Sequence, residues 1–150
     1  GGHAQGDTIS NFEFIYGSNY DDVLEGDNTI NLIYGNNGND TVYGYDGDDY
    51  LYGNNGQDYI IGGAGDDELY GGLDVDWFWF WGTWGEDTIK DWDDGVDKVN
   101  LSNTSLNVSD LWQKTNISGD RVVGDDSSFT NSITFYGITS EITADYFIFA

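Results

Sequence analysis

Residues 35–76 read GNNGNDTVYGYDGDDYLYGNNGQDYIIGGAGDDELYGGLDVD. Set on a period of nine with Gly first and Asp sixth, they fall into units beginning at Gly35, Gly44, Gly53, Gly62 and Gly71, and the same phase extends upstream to Gly26 and Gly17. Position six then holds Asp22, Asn31, Asp40, Asp49, Asp58, Asp67 and Asp76, and position eight holds Leu24, Ile33, Val42, Leu51, Ile60, Leu69 and Phe78. The fourth position is Gly38, Gly47, Gly56 and Gly65 in the middle units but Tyr20, Thr29 and Asp74 in the outer ones. Seven units in one phase, most regular at the centre, mark a repeat array with degenerate ends.

The spacing implies a chemistry. Six residues that include two glycines form a tight turn whose carbonyls point inward, and the Asp that ends the turn adds a carboxylate oxygen. Ca²⁺ takes about six to eight hard oxygens, more than one turn supplies, so an ion belongs between stacked turns. The remaining residues form a short strand with its middle side chain on one face, which makes position eight the core. A coil of two sheets returns to the same edge after two units. Asp22 then pairs with Asp40, Asp40 with Asp58 and Asp58 with Asp76 on one edge, and Asp49 with Asp67 on the other. Asn31, with Thr29 and Ile30 in its turn, weakens the first site of that second edge.

The units match the pattern G-G-x-G-x-D-x-U-x, and the chain resembles the RTX (repeats-in-toxin) family of calcium-binding, hemolysin-type nonapeptide repeats. The resemblance implies an all-β fold: a parallel β-roll, a right-handed two-sheet β-helix with Ca²⁺ in its turns, followed by a small antiparallel β cap. It also implies that carbonyls of turn positions one to four complete each site. The expected metal set is therefore Asp22; Gly35, Asn36, Asn37, Gly38 and Asp40; Gly44, Asp46, Gly47 and Asp49; Gly53, Asn54, Asn55, Gly56 and Asp58; Gly62, Gly63, Ala64, Gly65 and Asp67; and Gly71 with Asp76. After Phe78 the sequence WFWFW leads into GEDTIKDWDDGVDKVNLS, which resembles the segment closing such rolls in secreted proteases and alginate epimerases. By that resemblance Asp87 and Asp91 are candidate ligands of a capping Ca²⁺, against a reading of both as solvated turn acids. Asp97 is expected to brace Lys98 or a turn. The roll is expected over residues 1–80, with a degenerate cap over 1–16, and a capping region over 81–150 continuous with it. LWQKTNIS, DRVVGD, NSITFYG and DYFIFA read as the strands of that cap, and Ser109 as the N-cap of one helical turn within 107–113.

Charge limits the partners. The formal net charge is -24, from 28 acidic against four basic residues, so a compact state repels itself unless cations neutralise it. Nucleic acid and anionic membrane surfaces are excluded, because only Lys90, Lys98, Lys114 and Arg121 can meet a polyanion. The same scarcity disfavours an alginate-epimerase-like accessory role unless Ca²⁺ bridges to the polymer. No apolar run is long enough to insert in a membrane, and an aromatic content of 17% argues against permanent disorder. Without Cys, bound cations are the available cross-links. The resemblance implies secretion to the extracellular space or cell surface of a Gram-negative-type bacterium by a type I exporter. The chain opens without Met inside a degenerate repeat, the expectation for an excised piece of a longer protein, and DYFIFA resembles the endings of type I secreted proteins.

No catalytic constellation is evident. The single His, His3, has no patterned partner, and the repeat explains adjacent acids such as Asp48 with Asp49. The expectation is a non-enzymatic module. What the repeat leaves unexplained is the aromatics at its outward positions. Tyr34, Tyr52 and Tyr70 recur at position nine of one sheet; Tyr43, Ile61 and Trp79 do so on the other, with Tyr59 and Trp77 beside them and Trp81 beyond. Three readings stay open: cross-strand pairs that stabilise the sheet, an interface with another protein copy or domain, or a platform for stacking glycan rings.

Overall fold

The structure, a computed structural model, describes residues 14–93, 96–102, 112–115, 121–124, 131–136 and 147–148. Its strands are β1 (Phe14–Tyr16), β2 (Val23–Glu25), β3 (Leu32–Asn37), β4 (Thr41–Asp46), β5 (Tyr50–Asn55), β6 (Tyr59–Ala64), β7 (Glu68–Leu73), β8 (Trp77–Trp79), β9 (Glu86–Ile89), β10 (Lys98–Asn100), β11 (Trp112–Thr115), β12 (Arg121–Gly124), β13 (Ser132–Phe135) and β14 (Phe147–Ile148). They form two sheets, ordered β1-β3-β5-β7-β9-β13-β12-β11 and β14-β10-β8-β6-β4-β2, between which β1 to β10 alternate. Ile15 lies beside Ile33, Ile33 beside Leu51 and Leu51 beside Leu69; on the other sheet Leu24, Val42, Ile60 and Phe78 run in the same way. This is a parallel β-roll advancing one coil per pair of units.

Position eight forms the core, as the two-residue pleat requires. Ile33, Val42, Leu51, Ile60, Leu69 and Phe78 are completely buried between the sheets, each stabilising the roll by about 1.5–3 kcal/mol relative to exposure. Strands β3 to β7 are six residues long rather than the expected three, because pairing continues through the first half of the turn that follows, in units three to seven: Asn36 pairs with Asn54 and Asn37 with Asn55. Each of these turns bends at two left-handed residues, in second and fourth position. The second is Asn36, Tyr45, Asn54, Gly63 or Gly72, and the fourth is Gly38, Gly47, Gly56, Gly65 or Asp74.

The parallel coil runs on past Phe78 with longer steps. Leu69 pairs with Ile89 and Phe78 with Val99. β13 then joins β9, and β14 joins β10, also in parallel. Among the described residues the antiparallel pairing is confined to β11, β12 and β13, and the expected cap joins the two sheets through β13 and β14 as parallel extensions. The short helical turn expected over 107–113 is not formed at its end, where Trp112 and Gln113 pair with Gly124 and Val123 in β11; hairpin pairing with β12 takes their backbone groups. Positions 107–111 lie outside the described residues, as do His3 and most of the degenerate N-terminal cap.

Candidate metal centres in the turns

Every sixth-position residue of the array is buried at the start of its strand. On the first edge the backbone N–H of Asp22 donates to Oδ1 of Asp40 at 2.8 Å, that of Asp40 to Asp58 at 2.8 Å, and that of Asp58 to Asp76 at 2.9 Å. On the second edge Asn31 donates to Asp49 at 2.8 Å and Asp49 to Asp67 at 2.8 Å. One carboxylate oxygen of each of Asp40, Asp49, Asp58, Asp67 and Asp76 is thus used to set the stacking of coils. The other, Oδ2, packs over the first glycine of its own turn, as Asp40 does over Gly35 and Asp58 over Gly53. At Asp40, Asp49, Asp58, Asp67, Asp76 and Asp87 this second oxygen is buried with no hydrogen-bond donor.

An unpaired buried carboxylate is costly, since desolvation disfavours its charge. Burial is the main cause that raises the carboxyls of Asp40, Asp49 and Asp58 to about 6, Asp67 to about 7 and Asp76 to about 8; N–H bonds from the neighbouring coil oppose it and adjacent acids add to it. Asp87 is also raised well above the usual carboxylate range by burial. The unit with Asn in place of Asp shows what the second atom faces. Asn31 Nδ2 stands where the other units have Oδ2, and it donates to the carbonyls of Thr29 at 2.5 Å and Asp27 at 3.2 Å, the fourth and second positions of its turn. At Asp40, Asp49, Asp58, Asp67 and Asp76 the equivalent atom is an oxygen without a donor. Donor-free carboxylate oxygens at that place fit a hard cation and nothing apolar.

The remaining expected residues separate into two kinds. Gly62, Gly63, Ala64, Gly65, Gly71 and the remaining turn glycines can offer only backbone oxygens. Asn37 and Asn55 turn their side chains outward, linked as Asn55 to Asn37 at 2.7 Å and Asn37 to Asn19 at 2.6 Å. Asp46 is exposed. Asn36 donates to the carbonyl of Gly17 at 2.8 Å.

Asp87 and Asp91, the expected capping pair, take different partners. Asp87 accepts the N–H of Asp67 at 2.9 Å and so extends the second edge, whereas Asp91 accepts that of Gly71 at 2.9 Å beside the first. The two acids thus bond to different turns of the roll. Asp97 does brace a turn, through the N–H of Asp93 at 2.8 Å, but it also accepts the N–H of Asp76 at 3.0 Å. It is therefore the next rung of the first edge, a role missed because the repeat had lost its nine-residue phase. A signal was present: Asp97 stands two residues before the buried Val99, as Asp76 does before Phe78. The acids beside the rungs are accounted for too. Oδ1 of Asp48 accepts from the N–H of Asp66 at 3.0 Å, and Oδ1 of Asp66 from that of Glu86 at 2.9 Å.

The two outward faces differ. On the first sheet Tyr16, Tyr34, Tyr52 and Tyr70 stack at centroid distances of 5.0, 4.6 and 4.3 Å and cover one another's faces. On the second, Thr41, Tyr43, Tyr59, Ile61, Trp79 and Trp81 line an open groove of about 440 Å³. Its neighbours roof Ile61, which is buried despite its outward register. Trp77 is held against Tyr59, centroids 6.2 Å apart.

Residues 12–28, 16–51, 25–60 and 43–78 match the RTX calcium-binding nonapeptide repeat family profile in four overlapping copies. Among solved structures the chain is similar to the AlgE6R3 subunit of the Azotobacter vinelandii mannuronan C5-epimerase, at 26% identity and a TM-score of 0.47, covering 89% of this chain and 81% of that one. It is similar as well to the AlgE6R2 subunit of the same epimerase, at 25% identity and a TM-score of 0.46, covering 90% and 91%. No curated protein sequence matches the chain.

Proposed function

We propose that this array of RTX calcium-binding nonapeptide repeats is a folding switch, a module that closes around several Ca²⁺ ions and stabilises or caps a larger extracellular protein. The observation that carries the reading is the double row of buried carboxylates whose second oxygens lack donors. Ca²⁺ supplies the positive charge that lets those oxygens remain ionised inside the roll. Oδ2 of Asp40, Asp49, Asp58, Asp67 and Asp76 would hold the ions, with Oδ1 of the next rung and the second- and fourth-position carbonyls, such as those of Asn36 and Gly38, completing each site. Asp22, Asp87 and Asp91 stand at the margins of the two rows.

At low Ca²⁺ the charge of -24 keeps the chain open. Extracellular calcium modules bind with Kd on the order of 10⁻⁴ to 10⁻³ M, which suits a chain exported unfolded and folding outside a Gram-negative-type cell. Each ion joins successive coils, so its binding free energy appears as folding free energy and binding is cooperative. Any catalysis would belong to other parts of the parent protein. Far-UV circular dichroism during a Ca²⁺ titration should show β-structure appearing sigmoidally, and a chain equally folded in excess EGTA would overturn the switch.

The groove on the second sheet supports an additional reading, in which calcium supplies the scaffold and aromatic faces do the binding. Because the Tyr34–Tyr52–Tyr70 stack is closed on itself, the open surface is the groove that Tyr43, Trp79 and Trp81 help to line. A neutral glycan or another copy of the chain suits them better than any polyanion. Replacing Trp77 and Trp79 together by Ser should leave calcium-driven folding intact while abolishing glycan binding or self-association; unchanged binding of both kinds would remove this reading.

A further inference from the structure

We propose that the side-chain amide of Asn31 fills the cation position of its own turn, so that the turn from Gly26 to Asn31 closes without metal and holds no Ca²⁺. This rests on the calcium reading of the other turns and concerns where that reading stops.

The repeat compares the atoms directly. In the turns beginning at Gly35, Gly44, Gly53, Gly62 and Gly71, the atom packed over the first glycine is Oδ2 of the sixth-position Asp. Over Gly26 it is Nδ2 of Asn31, which a Cβ on that glycine would approach to 3.0 Å. Besides the two carbonyls of Thr29 and Asp27, this nitrogen lies 3.3 Å from Oδ1 of Asp49, the rung of the next coil. Three oxygens from two coils therefore converge on one N–H₂ group, the same kinds of oxygen that elsewhere face a donor-free carboxylate oxygen. Two amide hydrogens supply locally what an ion supplies in the other turns, without adding a charge that needs neutralising.

The rest of that turn is tied by hydrogen bonds as well. Thr29, standing where the middle units have Gly, donates from its N–H and its hydroxyl to Oδ1 of Asp27 at 2.9 and 2.6 Å. Neighbouring ends follow the same logic. Oδ2 of Asp22 takes the N–H of Ser18 at 2.6 Å, and at the far end both oxygens of Asp97 are used, by Asp76 and Asp93. Donor-free carboxylate oxygens begin at Asp40 and end at Asp76 and Asp87, whereas at Asn31 the donor-free atom is the amide oxygen Oδ1 and the nitrogen is the bonded one. Along the second edge, the Asn31 turn is a metal-free abutment on which the first ion-holding turn, that of Asp49, stacks.

The test counts ions on the full chain, wild type against Asn31→Asp, by equilibrium dialysis with Ca²⁺ at saturation. The substitution restores a second carboxylate oxygen at the vacated nitrogen, and the variant should bind one more ion than the wild type. An equal count in two chains that both fold with calcium would overturn the inference. A wild type that binds no calcium would instead bring down the reading beneath it, and the inference with it. A measurement on the unaltered protein guards against a variant that fails to fold. In the calcium-loaded wild type, the Nδ2 protons of Asn31 should exchange with solvent at least about 10-fold more slowly than those of the exposed Asn28. Exchange at the rate of Asn28 would show that the amide is not engaged and overturn the assignment.

Discussion

Asp67 and Asp76 have carboxyls raised to about 7 and about 8 by burial, and the sign of that shift fixes how the metal-free chain answers to pH. A folded-state value above the unfolded value of about 3.9 means that the folded form binds the proton more tightly. The resulting stability is complete below the unfolded value and is lost as pH rises through about 6 to 8, the range of Asp40 to Asp76. In EGTA, acidification from about pH 8 to about pH 5 should therefore increase β-structure in far-UV circular dichroism. Calcium requires the ionised form, so its half-saturating concentration should fall over the same interval as pH rises, with protons released on binding. Backbone strain acts at this scale too. A Cβ on Gly56 would overlap the carbonyl oxygen of Gly38 in the coil below, at a φ of 126° that L-residues rarely adopt. Gly56→Ala should lower the thermal midpoint in saturating Ca²⁺ by the equivalent of at least about 1–2 kcal/mol. The positions of such glycines were legible in the sequence, because the turn needs them in phase. The left-handed Tyr45, with φ 80°, was not, since Tyr carries no such preference and is held there by its coil and by a 2.9 Å hydrogen bond to Glu25.

From β2 to β8 each strand sends one position-eight side chain between the sheets, so their contributions can be separated. Ile60 is fully enclosed between Val42 and Phe78 on its own sheet. Ile60→Ala should cost about 2–5 kcal/mol in calcium-loaded unfolding, measured by denaturant titration. The stacked tyrosines of the first sheet lie outside that core, and a double-mutant cycle at Tyr34 and Tyr52 should return a coupling of about 0.5–1.5 kcal/mol, with calcium stoichiometry unchanged. Strand identity was readable wherever the nine-residue phase held, from Leu24 to Phe78. Beyond it, longer connections displace the next partners: Ile89 lies 20 residues after Leu69, and Val99 lies 21 after Phe78. Only the Asp-x-apolar triplets of Asp87–Ile89 and Asp97–Val99 survive to mark the coil. The parallel docking of β13 against β9 was not legible at all, because it joins segments 46 residues apart with no shared pattern.

For the whole molecule, charge and topology make folding conditional. A chain of 150 residues carrying -24 should scatter as an open coil with a radius of gyration of about 40 Å without calcium, contracting toward about 15 Å with it. Small-angle scattering across a Ca²⁺ titration checks this, and a contraction produced equally by sodium chloride would point to screening in place of site binding. The 18-residue return of each rung to its own edge has a further consequence, for how such a chain tolerates lengthening and shortening. Removing the eighteen residues 35–52 leaves every later unit on its original sheet, with Asp58 stacked on Asp22 as Asp40 was. Removing only the nine residues 44–52 transposes everything downstream: the tyrosine stack is cut and its upper half moves to the opposite sheet, while the Asn37 and Asn55 rows no longer meet. Although both deletions preserve the unit, only the first preserves two distinguishable faces. Length variation in such rolls is thus expected to proceed in steps of whole coils.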